Sequence, residues 1–332
     1  MEELFELVEV LKRVGEEAAE VPPPQMGPGG EEEGGAYVGC GSYDVVFERS
    51  EPPGDVHGLD SHTVVVEFGG ASAIVATGAL VGRQTAVVPG LQAKWLGLRL
   101  NYRWRGDVER GGRLYVWSQY LDRPFDATFD LESARDEVRL HVEEVLAGAW
   151  DGGGVLVVDG PIFRAAAAAE REGEYGALYR SFIKRRAEAF RGRRAVGIVK
   201  RLDKSTYLSR CAGFGTNDEV TALRLLEGRP GYVGPVTVSL EGYVKWMYYV
   251  AAPAARGVRV LRVEALDERL AAEAASWMAS LADAFGVPVP ITIADRLARR
   301  LNASIVKMLY AASPVEPTYR GLEAVLDALR EA

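Results

Sequence analysis

Apolar positions first recur at helical spacing. Leu4, Leu7, Val8, Leu11 and Val14 fall on one stripe, which predicts an amphipathic N-terminal helix over residues 1–20. The next segment, VPPPQMGPGGEEEGG from Val21 to Gly35, has consecutive prolines and clustered glycines that cannot build a packed element. Residues 21–35 are therefore expected to form a linker or loop, and residues 36–332 the folded domain. The pattern then turns to short β-branched runs. His62–Gly70 and Ala71–Val81, separated by Gly69-Gly70, predict a hairpin, and Arg113–Leu121 a third strand. A helix capped by Asp130 or Ser133 follows, with Val138, Val142, Val145 and Leu146 as its apolar stripe. VLVVD, Val155–Asp159, is continuously apolar up to its last residue, as a strand buried on both faces would be. A long helix from Ile162 to Phe190, a buried strand from Ala195 to Lys200 and a helix from Thr216 to Leu226 come next. Late strands at Val236–Leu240, Tyr243–Ala251 and Gly257–Leu266 precede helices at Asp267–Phe285, Ile291–Tyr310 and Arg320–Arg330. Three strands, a helix, then a strand–helix–strand alternation predict an α/β fold: a mixed sheet flanked by helices, with added N- and C-terminal helices.

Composition narrows the function classes. The 332 residues are 48% hydrophobic, enough for a sizeable core, and no run of about 18 apolar residues suggests a membrane span. The acidic start MEELFELVEV lacks the basic and uninterrupted apolar stretches of a secretory signal, so a cytoplasmic protein without a membrane partner is expected. Only Cys40 and Cys211 are present, which argues against a disulfide framework or a CxxC metal site. Three histidines, His57, His62 and His141, are too few for a dense imidazole site. Few Asn and Gln and an excess of Arg over Lys fit a thermophile. The net charge of −8 argues against a nucleic-acid partner until its distribution is considered. Acid clusters early, as at Glu31, Glu32 and Glu33, whereas base concentrates from Arg180 to Arg201 and around Arg296, Arg299, Arg300 and Lys307. Separated signs are what a protein needs to hold cations beside a phosphate backbone. Alone, the basic run reads more readily as the solvated face of a helix.

Three carboxylates sit where this order of elements would bring them together. Asp60 lies just ahead of the first hairpin strand, Glu137 in the first turns of the following helix, and Asp159 at the end of VLVVD before Gly160-Pro161. An acid at the end of a buried strand is held rigidly at the rim of the sheet, where open α/β sheets bind ligands. Hydrolysis of a phosphodiester needs an acidified water and a neutralised leaving oxygen, and a pair of hard cations supplies both. Mg²⁺ and Mn²⁺ prefer oxygen donors, so Asp and Glu are the expected ligands. Each residue also has a plainer reading: Asp60 as a turn residue, Glu137 as helix-dipole charge, and Asp159 as the start of an Asp-Gly turn.

The succession of segments resembles the NurA nuclease family, partners of the HerA ATPase. A Gly-hydrophobic-Asp entry with a glycine-containing hairpin spans Gly58 to Val81, and a strand ending in Asp-Gly spans Val155 to Phe163. A strand ending in Lys follows at AVGIVK, an aromatic strand at YVKWMYYV, and a Pro-rich entry to a helix at FGVPVPITIADRLARR. The likeness runs in order from about Val56 to Leu309. Ser61, Pro161 and Asp295 depart from it, the last standing where the family commonly has a His. The resemblance implies a ribonuclease H-like fold and a Mn²⁺- or Mg²⁺-dependent deoxyribonuclease. It also implies a homodimer, and work in DNA end resection and repair with a HerA-type hexamer. It assigns Asp60 to bridging two metals, Glu137 (or Glu143) and Asp159 to completing their shells, Asp295 to the position of the His, and Lys200 to a phosphate or the nucleophile. Arg185, Arg186, Arg193 and Arg194 would face DNA, and Tyr249 (or Tyr243) would stack on it. The alternative is a non-catalytic DNA-binding adaptor of the same complex.

Overall fold

The computed structural model describes residues 2–16, 37–69, 71–100, 117–118, 123–124, 131–164 and 173–331. The expected linker at 21–35 and the acidic run Glu31–Glu33 lie outside the described residues. In chain order the elements are α1 (Glu2–Glu16), β1 (Tyr37–Gly39), β2 (Asp44–Val46), β3 (Val56–Phe68), β4 (Ala71–Val81), β5 (Ala86–Val88) and β6 (Leu96–Leu100). Then come β7 (Trp117–Ser118), β8 (Arg123–Pro124), α2 (Leu131–Ala149), β9 (Val155–Asp159), α3 (Gly173–Phe190), β10 (Ala195–Val199), α4 (Tyr207–Ala212) and α5 (Asp218–Leu225). The chain finishes with β11 (Gly231–Leu240), β12 (Tyr243–Ala254), β13 (Gly257–Ala265), α6 (Glu268–Met278), α7 (Val289–Ala312) and α8 (Tyr319–Glu331).

One mixed sheet dominates, with strand order β1-β11-β12-β13-β10-β9-β3-β4-β5; β2 also pairs with β11 and β6 with β4. β9 runs parallel to both β3 and β10, and the other pairings are antiparallel. The expected mixed α/β sheet is present. The third expected strand, Arg113–Leu121, is described only at Trp117–Ser118, which pairs with β8 in a separate ribbon. β5 and β6 take its place beside β4.

Alternation along β9 explains its burial on both faces. Leu156 and Val158 enter one core with Leu59, Val142, Leu146, Phe182 and Ile183 under α2 and α3. Val155 and Val157 enter a second core with Val196, Ile198, Leu270, Ala274 and Met278 under α6. Helix starts follow local chemistry: Asn217 caps α5 by accepting from the Val220 amide at 2.9 Å, and Asp267 caps α6 by accepting from the Leu270 amide at 2.8 Å.

The stripe of α1 packs on the protein's own core: Leu4, Leu7, Val10 and Leu11 are buried in the first core, with α1 against α7 and β6. The two cysteines, 171 residues apart, form a disulfide that ties the end of β1 to α4. A count of two excluded a framework but not a single bridge between segments that meet only in the fold. Among the described residues, no helix is long and apolar enough to cross a membrane.

Candidate active site

Asp60 lies inside β3 and not ahead of it, and the strand register decides its neighbours. β3 and β9 are parallel with Leu59 beside Val158, so the next residue of each strand, Asp60 and Asp159, stand side by side. There β9 stops while β3 runs on, which leaves the edge of β3 open to groups from both faces of the sheet. Alternation turns Gly58 and Asp60 toward α7 and Ser61 toward α2. A Cβ at Gly58 would lie 2.2 Å from the Pro290 carbonyl oxygen, so the start of α7 rests on β3 only because Gly stands there. That contact brings Asp295, one turn further along α7, into the electrostatic field of Asp60. On the other face, the Ser61 hydroxyl donates to Glu143 Oε1 at 2.5 Å.

Asp60 is 5% exposed, and its pKa is raised well above the ordinary value. Burial is the largest cause. Repulsion from Asp159 adds to it, Lys200 opposes, and Asp295 and Glu143 raise it further. Lys200, just past β10, donates a short hydrogen bond to Asp159 Oδ2. Glu143 is fully buried, yet its pKa is lowered: Arg186, Arg139 and the Ser61 hydroxyl outweigh desolvation. The site therefore gathers Asp60, Asp159, Glu143, Asp295 and Lys200, drawn from two strands, two helices and a strand end.

The helix carboxylate in this group is Glu143, the second choice from sequence, and not Glu137. Val138, Val142 and Leu146 set the phase of α2. Val142 and Leu146 fill the space where a Cβ at Gly78 would lie 2.7 and 2.6 Å from them, and Val138 faces Gly97 at 3.0 Å. With that stripe on the sheet, Asp136, Arg139 and Glu143 share the face toward the end of β9, and Glu137 is turned about 100° per residue away from it. Glu137 is not among the charges that act most strongly on Asp60.

The expected DNA-binding side chains are rearranged too. Arg186 is 9% exposed and clamps Glu143 Oε2 and the carbonyls of Pro161 and Ile162, so it shapes the site from within. Arg185 pairs with Glu144 at 2.8 Å. Arg193 donates to the Ala147 carbonyl, and Arg194 pairs with Glu273 at 2.6 Å. Arg193 and Arg194 precede β10 at the rim opposite Lys200, separated from it by the length of the strand. Tyr249 cannot stack on a strand of DNA. It is 0% exposed and donates to Asp218 Oδ2 at 2.6 Å, and burial with that carboxylate pushes its pKa up. Tyr243 is half-buried, with Arg191 over its ring and its hydroxyl on Glu188.

Sequence reasoning missed a buried polar network behind the site. Glu264, on β13, accepts from Lys245 and Arg262 and from the Ile162 amide at 3.0 Å. Lys245 also donates to the Phe163 carbonyl at 3.0 Å. Arg262 donates to Ser205, which donates to Asp218. Both loops that leave the site, after Asp159 and after Lys200, are thus pinned by one network. Lys245 and Arg262 hold the Glu264 carboxyl below its usual range despite burial. A Glu264→Leu variant leaves two buried cations without their acceptor, and a loss of roughly 3–5 kcal/mol in urea-denaturation stability is expected. A loss below about 1 kcal/mol would mean that the network is replaceable. The signal in the sequence was a charge at alternate, otherwise apolar strand positions, Arg262 and Glu264 in GVRVLRVEA.

The carboxylates are a hard-oxygen donor set of the kind that divalent cations prefer, and repulsion from Asp159 and Asp295 adds to burial in raising the Asp60 pKa. On that ground the residues fit Mn²⁺ or Mg²⁺. As they stand, no three Asp, Glu, His or Cys side chains among the described residues are gathered closely enough to hold an ion. Asp159 and Glu143 face Lys200 and Arg186 in its place.

Among solved structures the chain is similar to the NurA nuclease from Sulfolobus solfataricus, with 13% identity, a TM-score of 0.49 and coverage of 80% of this chain and 88% of that one. It is also similar to NurA solved with manganese, with 8% identity, a TM-score of 0.48 and coverage of 80% and 91%. A third similar structure, NurA bound to dAMP and manganese, has 7% identity, a TM-score of 0.42 and coverage of 89% and 90%. No curated protein sequence matches the chain. The NurA domain matches residues 54–300, which include Asp60, Glu143, Asp159, Lys200 and Asp295, and the protein therefore belongs to the NurA domain family.

Proposed function

We propose that the protein is a divalent-metal-dependent nuclease that hydrolyses phosphodiester bonds in DNA. The observation that carries this reading is the buried Asp60 beside Asp159, with Glu143, Asp295 and Lys200 acting on the same carboxyl. Asp60, Asp159 and Glu143 would hold Mn²⁺ or Mg²⁺, with Asp295 contributing from α7. When bound, the ions acidify the attacking water and neutralise the leaving oxygen. Lys200 holds a positive charge at Asp159 and would meet a phosphate oxygen once that carboxylate turns to another partner. Arg186 and Ser61 orient Glu143 and keep it ionised. The strand series β5-β4-β3-β9-β10, with β4 antiparallel and β3, β9 and β10 parallel, is the order we read as a ribonuclease H-like core extended by β11–β13. Family membership extends the proposal to a cytoplasmic homodimer that resects DNA ends with a HerA-type ATPase.

The pairing of Asp159 with Lys200 and of Glu143 with Arg186 favours a second reading, a DNA-binding adaptor that has lost its chemistry. Incubating end-labelled DNA with the protein, with and without Mn²⁺, separates the two: cleavage that needs the ion supports the enzyme, and binding without cleavage supports the adaptor. The helix carboxylate has its own test. Glu143→Gln should lose cleavage and the rise in melting temperature on adding Mn²⁺, whereas Glu137→Gln should keep both. The opposite outcome would return Glu137 to the site.

A further inference from the structure

Beside Asp159, between α2, α3 and the loop after β9, lies a small, partly open recess. Its apolar wall includes Phe163 and Phe182, and its polar lining includes Arg139, Arg164 and Asp136. Two guanidinium groups there are only partly satisfied. The Nε of Arg139 and the Nε of Arg164 are both buried and have no hydrogen-bond partner among the described residues. Arg139 comes no closer than 3.8 Å to Glu143 Oε1, and Arg164 uses Nη1 on Asp136 Oδ2 at 3.2 Å. Among the described residues, the acids that act on Arg139 take their hydrogen bonds from other donors: Asp136 accepts from Arg164 and the Tyr179 hydroxyl, Asp159 from Lys200, and Glu143 from Arg186 and Ser61. A buried charged donor without an acceptor is costly, and an oxyanion is the acceptor that two guanidinium groups fit best. The recess has a volume of about 20 Å³, room for one group of the size of water, such as a single phosphate oxygen.

We propose that Arg139 and Arg164 form a phosphate-binding subsite at this recess, which receives a phosphate of the DNA strand next to the one being hydrolysed. The inference rests on the nuclease reading for the identity of the strand, and on the two Nε–H donors that lack a hydrogen bond for the site itself. The phosphate is either a terminal 5′-phosphomonoester or an internal phosphodiester. Both present oxyanions to the same donors, and the two differ in how binding depends on the end group.

The test uses Arg164→Lys, which retains a cation beside Asp136 and removes the Nε–H. Binding of 3′-labelled oligothymidylates with a 5′-phosphate or a 5′-hydroxyl is measured in EDTA, with inorganic phosphate as competitor and thermal melting as the control for folding. The subsite predicts a loss of about tenfold or more in Arg164→Lys, at an unchanged melting temperature. Loss confined to the 5′-phosphorylated strand identifies a terminal phosphate, and equal loss on both identifies an internal one. Arg164→Gln should lower binding at least as far. Wild-type affinity of the folded Arg164→Lys for both strands, with no competition by inorganic phosphate, overturns the subsite. Cleavage of the same strands by the wild type with Mn²⁺ is scored separately. Cleavage with unchanged Arg164→Lys binding sinks the subsite alone, and lost binding without any wild-type cleavage sinks the nuclease reading and keeps the subsite.

Discussion

Asp60→Asn is expected to lose DNA cleavage by about a thousandfold or more while gaining thermal stability in metal-free buffer. The first effect follows because a cation supplies several kcal/mol of charge stabilisation in phosphodiester hydrolysis and each 1.36 kcal/mol is tenfold in rate. The amide keeps the shape of the side chain and removes the charge that would hold the ion. DNA binding, which rests on other groups, should persist. The second effect follows from the raised pKa of Asp60. Folding favours its protonated form, so the stability tied to that proton is present below the ordinary carboxylate range and is lost as pH rises through the folded value. Above the ordinary carboxylate range the wild type loses stability that Asn, which does not titrate, keeps. The melting temperature of Asp60→Asn in EDTA should therefore exceed that of the wild type, and the gap should close as pH falls below about 4. Added Mn²⁺ should raise the melting temperature of the wild type and leave Asp60→Asn unmoved. Asp159→Asn should lose cleavage equally. Wild-type cleavage by either variant would remove that residue from the site.

The second large effect is expected from the bridge between Cys40 and Cys211, which closes a loop across most of the described sheet. Chain entropy alone assigns a bridge of this span about 5 kcal/mol, an upper value because reduced chains retain structure. For a chain of this length that corresponds to a fall in melting temperature of roughly 5–10 °C on Cys40→Ser or on reduction. The site is carried by β3, β9, β10, α2 and α7, none of which is tied directly by the bridge, so cleavage at low temperature should be retained. A melting temperature unchanged by dithiothreitol would mean that the bridge does not constrain the unfolded chain. A parallel loss of cleavage would mean that β1 and α4 reach further into the site than their contacts suggest.

The sequence by itself determined the local elements whose signals are local. The hairpin of β3 and β4 from two β-branched runs, the apolar VLVVD, the caps at Asn217 and Asp267, and the helical stripe of α1 each follow from a few adjacent residues and short-range sterics. Asp159 was legible for the same reason, as the polar end of an apolar strand segment, whereas Asp60 read as lying ahead of its strand until pairing with β4 and β9 set it inside β3. What remained was decided by contacts between distant segments. Glu137 and Glu143 are equally acceptable on an isolated helix, and only the seating of Val142 and Leu146 over Gly78 fixes which one reaches Ser61. The basic run from Arg180 to Arg201 looked like one surface, but helix, turn and strand distribute it. Arg186 goes to the interior, and Arg193 and Arg194 to the rim far from Lys200. Tyr249, Lys245, Arg262 and Glu264 read as strand residues with free polar ends until pairing of β10, β12 and β13 buries them against one another. A one-residue change in register would turn each of these side chains to the opposite face, and register belongs to the assembled sheet and not to any one strand.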